Sequence, residues 1–543
     1  MSTATKGGAP APAHPPRVSV TDRLSAAVGA TAVGRRLSAG AAQLRGRAVP
    51  LHWSNMFGIV SLTCVVILLV TGIVLMFFYV PSSEQVVYDG NYVPLVGTEM
   101  SKALASTLSV SFDVPGGLTL RQAHHWAALL LPAAVIMQML VSFFTGAFRR
   151  PRKWSWVLLF LVLVAVLAAG WSGYALPDDL LAGTGLRIVE GIVLGIPFVG
   201  TWLSAILFGG EFPGQIIEHL YPLHVLIFPG AMLLFLFLRV RMAYRQRPAQ
   251  FPGLGRTEEN VVGVPLPQAA ARATGLFFAV IALIVGISST VAISPVWTFG
   301  PSSASEASAG SQPDWYTGFL DGALRLVPPG WEVEWMGGTL TLAVLVPLIV
   351  VGVFLLLVAV YPFLEEWITG DRNEHNMLDR PRNVPGRTGI GVAGIVFYGA
   401  LWGAGSADVM ATQLHVPLEA VVRSFQVLVL LGPVVGFVVT RRICIALRRK
   451  DRDILLHGYE TGRIVRLPGG EYVEVHAPLS EAQAARLIDR SAEALPRPGG
   501  AAAPRATTVG RIRRALSRAV FERDAEHAVR GRAPSHPSPV HRH

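Results

Sequence analysis

Apolar runs of about 20 residues, the length that crosses a bilayer as a helix, recur along the chain. They fall at 56–80, 122–147, 155–175, 221–243, 272–294, 339–361, 388–410 and 418–440. The pattern predicts an all-α polytopic membrane protein with eight transmembrane helices. The polar connections between runs alternate in charge. Arg149, Arg150, Arg152 and Lys153 follow the second run, Arg241, Arg245 and Arg247 the fourth, and Arg372, Arg380, Arg382 and Arg387 the sixth. Connections 81–121, 176–220 and 295–338 are long yet nearly free of Lys and Arg. Basic loops stay in the cytoplasm, so the pattern predicts a multi-pass protein of the cell membrane with both termini cytoplasmic.

The flanks differ from the runs. Residues 1–50 are rich in Ala, Pro and Arg without an apolar signal region, which predicts a disordered cytoplasmic extension and not a cleaved signal peptide. After the last run, Arg441, Arg442, Arg448, Arg449 and Lys450 mark the cytoplasmic boundary. Residues 451–490 read as a small cytoplasmic appendage with strand character at 462–476, and residues 491–543 as a disordered tail.

Composition agrees with a membrane location. Of 543 residues 52% are hydrophobic and only 15% charged, with a mean hydropathy of +0.47. The net charge of +11 sits in the gaps between runs, so it is topological and argues for no nucleic-acid partner. The two cysteines, Cys64 and Cys444, are distant in sequence, and the absence of Cys-x-x-Cys-His excludes a covalent c-type haem.

Candidate chemistry lies at the mouths of two runs. Arg121-Gln-Ala-His-His-Trp126 opens the second and Leu220-Tyr-Pro-Leu-His-Val225 the fourth. Imidazole is costly in hydrocarbon and marks ligands or proton paths. A lone histidine there reads equally as an interfacial cap; two, each opening a span, point to helices facing each other across a metal cofactor. The arginine-poor loops are rich in Gly, Pro and aromatic residues, where binding functions are built. One holds Ser311-Gln-Pro-Asp-Trp-Tyr316 and then Gly318–Arg325, a short amphipathic helix.

Taken together, the spans, the two histidines and Pro313-Asp-Trp-Tyr316 resemble the cytochrome b subunit of the actinobacterial respiratory cytochrome bc complex, a menaquinol–cytochrome c reductase. The resemblance covers roughly 50–480. It includes Tyr88-Asp-Gly-Asn-Tyr-Val-Pro-Leu95, Ser111-Phe-Asp-Val114, Gly173-Tyr-Ala-Leu-Pro-Asp-Asp179, Leu207-Phe-Gly-Gly-Glu-Phe-Pro-Gly214, Leu456-His-Gly458 and Tyr472-Val-Glu-Val-His476. It implies a haem-binding four-helix domain at 51–253 and a second four-helix domain at 254–450 carrying the outer quinol-site loop. In such proteins the second and fourth helices each hold two histidines, and the pairs bind an outer and an inner haem b. Fourteen helical residues turn about 1400° and rise about 21 Å, so such ligands share a face at two depths.

On that resemblance His124 and His224 are the axial ligands of the outer haem, and His125, about 100° off that face, is a neighbour. Arg121 would meet a haem propionate, and Gly72 and Gly173 would leave room for the macrocycle. Asp314 and Tyr316 would be catalytic, with Asp314 the proton acceptor, while Pro313 and Trp315 would bind menaquinol. An interfacial aromatic anchor is the alternative reading of that tetrapeptide. The implied partners are a Rieske-type iron–sulfur subunit, a c-type cytochrome subunit and a second copy of the chain; a terminal oxidase is a further partner compatible with the resemblance.

The inner half departs from the pattern. Gln138 stands fourteen residues beyond His124, and, in the register set by Gln250-Phe-Pro-Gly253, Arg239 stands where the second histidine of the fourth helix belongs. Gln is a poor ligand for haem iron and Arg coordinates no metal; Arg239 also reads as a side chain snorkelling to the interface beside Arg241. The first helix keeps Gly58 and Gly72, whereas the third keeps Gly173 and has Leu159 in place of the inner glycine. Val141 replaces an expected basic residue, and His219 stands where an arginine is expected. The sequence therefore predicts one haem b at the outer site and no inner haem. The competing expectation is a diverged, non-catalytic paralogue with a structural, assembly or regulatory role. A transporter is disfavoured by the lack of an internal repeat.

Overall fold

A computed structural model of the chain describes residues 31–210, 214–303, 305–308, 312–488 and 507–521. Its helices, in chain order, are α1 (Ala32–Arg45), α2 (Met56–Leu75), α3 (Lys102–Phe112), α4 (Gly117–Phe144), α5 (Lys153–Ala175), α6 (Leu180–Leu194) and α7 (Gly200–Phe208). They continue as α8 (Ile216–Arg245), α9 (Leu266–Thr290), α10 (Gly318–Arg325), α11 (Leu342–Thr369), α12 (Pro385–Ala404), α13 (Ala407–Leu414), α14 (Leu418–His457), α15 (Glu481–Leu487) and α16 (Thr508–Phe521).

Seven of these are long and apolar enough to span a membrane: α2, α4, α5, α8, α9, α11 and α14. The pair α12–α13, bent by 65°, makes an eighth when taken together as one broken span. The bend falls where α10 presses on the end of α12: a Cβ on Gly322 would lie 1.7 Å from the Leu401 carbonyl oxygen, and one on Gly405 2.5 Å from that of Gly318. Only glycines allow backbones so close, and the amphipathic helix expected at 318–325 is the element that docks there.

Helix α2 packs on α4, and α5 on α8. Cys64, Ala127, Leu131, Val135, Met139, Leu159, Val162 and Met232 share one core between these four helices. Outward-facing Val70, Ile73, Leu234 and Phe237 are exposed, as suits surfaces solvated by lipid. A second group forms around α12 and α14, with α10 and α13 against it.

Each end of the bundle has its own polar structure. At the arginine-rich end Arg387, 2% exposed, pairs with Glu365 at 2.5 Å and with Asp379 at 2.7 Å, and Arg149 reaches Asp379 at 2.8 Å. This buried network ties α11 and α12 to the turn after α4. Such pairs contribute little net stability yet are costly to break singly. At the histidine end, the arginine-poor connections hold short helices α3, α6, α7 and α10 and small two-stranded sheets, Gln85–Val87 with Glu99–Ser101 and Glu332–Trp335 with Gly338–Thr341.

The appendage after α14 is a hairpin, Tyr459–Arg466 paired with Tyr472–Ala477, which accounts for the strand character at 462–476. Two expectations of disorder need correction. Helix α1 lies within 1–50 and α16 within 491–543, each short and Arg-rich. Low-complexity composition concealed their amphipathic spacing; α1 lies on α9, and α16 on α11 and α12, where Ser517 is buried, the tertiary support that such short helices need. Residues 1–30, 489–506 and 522–543 lie outside the described residues, as do residues 211–213 and Ser311 of the motifs quoted above.

Candidate haem site and adjoining aromatic loop

Helices α4 and α8 bring His124 and His224 face to face. Their ring centroids are 6.3 Å apart with planes at 65°. Two imidazoles on opposite sides of one metal, with bonds of about 2 Å, put their centroids roughly 6 Å apart. Each ring is oriented through Nδ1: that of His124 lies 2.8 Å from Thr71 Oγ1, and that of His224 lies 2.9 Å from the Ala169 carbonyl and 3.2 Å from Ser172 Oγ. A hydrogen bond at one ring nitrogen fixes the tautomer and leaves the other to bind metal.

The glycines act more directly than the sequence suggested. A Cβ on Gly72 would lie 3.2 Å from His124 Cε1, and one on Gly173 2.4 Å from His224 Cε1. Both glycines thus leave room for the imidazoles themselves, on helices α2 and α5. His224 also sits in a π-helical turn, Leu223–Ile227, just after Pro222, which has no N–H for the preceding turn. A π turn inserts about one residue into the helical register. It therefore explains why Arg239, fifteen residues on, is the counterpart of a position fourteen residues on in α4.

Both histidines line a cavity of about 260 Å³ shared with Gly72, Gly173, Arg121 and Tyr174. Arg121 Nε is buried without a hydrogen-bond partner among the described residues, while Nη2 reaches the Ser294 carbonyl at 3.4 Å and the guanidinium lies 5.7 Å from the Trp297 ring. Among the described residues no three or more His, Cys, Asp or Glu are grouped to hold a metal ion. Two imidazoles, an apolar cavity and an unsatisfied cation suit a metal that brings its own equatorial ligands and anionic substituents, as haem does.

The cavity extends to the Pro313–Tyr316 loop, since Asp314 and Tyr316 line it too. Tyr316, 1% exposed, donates to Asp314 Oδ2 at 2.9 Å, and burial followed by the Asp314 charge holds its phenol well above the usual range. Trp315 donates to the Leu129 carbonyl at 3.2 Å and accepts, through its own carbonyl, a bond from Trp402 at 2.9 Å. His125 Nε2 lies 3.2 Å from each Asp314 carboxylate oxygen. This contact was missed in the sequence. The 100° offset that removes His125 from the ligand face turns it toward the loop, but nothing in the sequence placed that loop opposite. His219, expected as an arginine, turns away to the Ile206 carbonyl at 3.3 Å.

Fourteen residues deeper the arrangement repeats with other side chains. A Cβ on Gly58 would lie 2.9 Å from Gln138 Nε2, so Gln138 occupies against α2 the place that His124 takes beside Gly72. Leu159 is 3% exposed and packs with Val135, Met139 and Val162. Arg239 Nε is buried with no partner among the described residues.

Paired histidines across a four-helix membrane bundle, next to an aromatic loop, define a membrane protein of the cytochrome b type. A profile described as cytochrome b (N-terminal)/b6/petB matches residues 129–301. The cytochrome bc1 complex cytochrome b subunit of Streptomyces coelicolor is 48% identical over 436 residues, 80% of each chain. That of Mycobacterium tuberculosis is 48% identical over 434 residues, 79% of this chain and 78% of the relative, and that of Corynebacterium diphtheriae 45% over 435, 79% and 80%. A solved chain titled hyperthermophilic respiratory Complex III has the same fold, with a TM-score of 0.58 at 18% identity, covering 76% of this chain and 98% of that one. The chain belongs to the family of cytochrome b subunits of actinobacterial cytochrome bc1 complexes.

Proposed function

We propose that this subunit oxidises menaquinol at the outer membrane face and passes electrons to a Rieske-type iron–sulfur partner and to one haem b. The carrying observation is the His124–His224 pair, held by Thr71, Ala169 and Ser172 with both rings on one cavity. These histidines would be the axial ligands, Arg121 would meet a propionate, and Gly72 and Gly173 would keep the rings in place. Haem supplies a one-electron redox centre when bound. The quinol would enter beside Pro313 and Trp315. Asp314, held by Tyr316 and His125, is the base within reach of its hydroxyl, a role suited to a carboxylate at a wet membrane face.

An inner haem does not fit. Gln138 and Arg239 stand where its ligands would be, and Leu159, buried in one core with Val135 and Met139, stands where a glycine would leave room. Without that relay a full quinone cycle does not follow, and on this reading the electron on the outer haem must leave to a one-electron acceptor on the histidine side of the membrane, a quinone or a second iron–sulfur or haem centre of a partner, for turnover to continue. The c-type cytochrome subunit, a terminal oxidase and a second copy of the chain belong to this reading as partners. A diverged, non-catalytic subunit with a structural, assembly or regulatory role is the second reading, favoured by the refilled inner half. A reduced-minus-oxidised haem spectrum with iron per polypeptide separates them: about one haem b supports electron transfer, none refutes it, and two would refute the ligand assignment.

A further inference from the structure

Helix α16, TVGRIRRALSRAVF, carries Arg511, Arg513, Arg514 and Arg518 and no acidic residue. It lies against α11 and α12, at the arginine-rich end of the bundle. A Cβ on Gly386 would lie 1.9 Å from the Val520 carbonyl oxygen, and Ser517 is fully buried. The side of the helix turned to the protein is therefore occupied. The other side is not: Val509 is 60% exposed, Ile512 52% and Leu516 39%. Their spacing of three and four residues forms one apolar stripe, flanked by exposed Arg511 and Arg518.

We propose that α16 is an interfacial anchor whose free face takes anionic phospholipid. The occupant follows from position and charge. The helix is docked on two membrane-spanning helices at their arginine-rich ends, where the headgroup layer would meet the bundle. An apolar stripe bordered by arginines is the arrangement that lies in the headgroup layer. Each basic residue near an anionic surface contributes about fivefold in binding, so exposed Arg511 and Arg518 beside the stripe favour anionic over zwitterionic lipid by about 25-fold.

The test is hydrogen–deuterium exchange of residues 508–521 in the full chain, reconstituted in nanodiscs of phosphatidylcholine alone or with about one third phosphatidylglycerol. Slower exchange in the anionic discs, reduced by 0.5 M salt and largely lost in Arg511→Gln/Arg518→Gln, supports the proposal; two arginines predict a change of about 25-fold. Ile512→Ser, which spares every charge, should speed exchange in anionic discs only. Equal protection in both lipids would show that protein packing alone holds the helix and would overturn the proposal. So would protection that appears only when a partner protein is added.

Discussion

Replacing Gly173 by alanine is the most discriminating perturbation of the candidate haem site. Its Cβ would fall 2.4 Å from His224 Cε1, 3.0 Å from Nδ1 and 3.1 Å from Nε2. No rotation within the ring plane escapes three such contacts, so the imidazole must leave the Ala169 carbonyl and Ser172. Loss of the partner that orients a metal-binding histidine weakens metal affinity roughly 10–100-fold. Gly72→Ala is milder, since the nearest atom, His124 Cε1, is 3.2 Å away and Thr71 still holds Nδ1. Gly58→Ala approaches only Gln138 Nε2, at 2.9 Å, the end of a flexible side chain that can swing aside. The expected order of haem loss is therefore Gly173→Ala, then Gly72→Ala, with Gly58→Ala close to wild type. The assay is haem per polypeptide with the rate of haem transfer to apomyoglobin. Full haem retention in Gly173→Ala, or equal loss in Gly58→Ala, would refute the assignment of one site at the His124–His224 depth.

Three further perturbations address neighbouring parts. Asp314→Asn removes the proposed base and should lower quinol oxidation at least 100-fold with an unchanged haem spectrum; unchanged turnover would place the base elsewhere. Gln138→His with Arg239→His and Leu159→Gly should raise haem from about one to two per chain if only those positions block the inner site, and no gain would show that Val135 and Met139 close it as well. Burial raises the carboxyls of Asp178 to about 6 and Asp179 to about 7. Each binds its proton more tightly in the folded loop than in the unfolded chain, so stability is highest below about pH 4, falls as pH rises to about 7 and then levels. Tm of the full chain should drop between pH 5 and pH 8, and less so in Asp179→Asn; parallel curves would contradict this.

Much of this site was legible because hydropathy and helical period are local properties. Eight apolar runs gave the spans, and the spacing of Gly58 and Gly72 and of His124 and Gln138 gave two depths on one face, which the contacts of Gly72 with His124 and of Gly58 with Gln138 reproduce. What stayed hidden depends on tertiary approach or on one irregular turn. The π turn at Leu223–Ile227 has no reliable sequence signature, and without it the fifteen-residue step to Arg239 looks like a mismatch. The His125–Asp314 contact joins residues 189 apart, through a loop whose fold follows from α10 pressing on α12. Helix α16 was lost in an Ala/Pro/Arg-rich tail because composition averages away a stripe only three residues wide.

These failures and successes bear on the inner half in the same way. Had only a ligand changed, the volume of the macrocycle would be left as a cavity, which is costly to keep empty. Instead the replacement is concerted: Gln138 against Gly58, Leu159 among Val135 and Met139, and Arg239 at the corresponding turn of α8. Changes on three helices at one depth are what a bundle requires when a large group is given up and its volume must be refilled at interior density. The outer depth differs in its ligands and packing, with both imidazoles oriented through Nδ1 and both glycines kept beside them. On the proposed reading the same four helices hold an oriented imidazole pair at one depth and Gln138, Leu159 and Arg239 at the other, and a single outer haem is the occupancy that a haem count per chain should return.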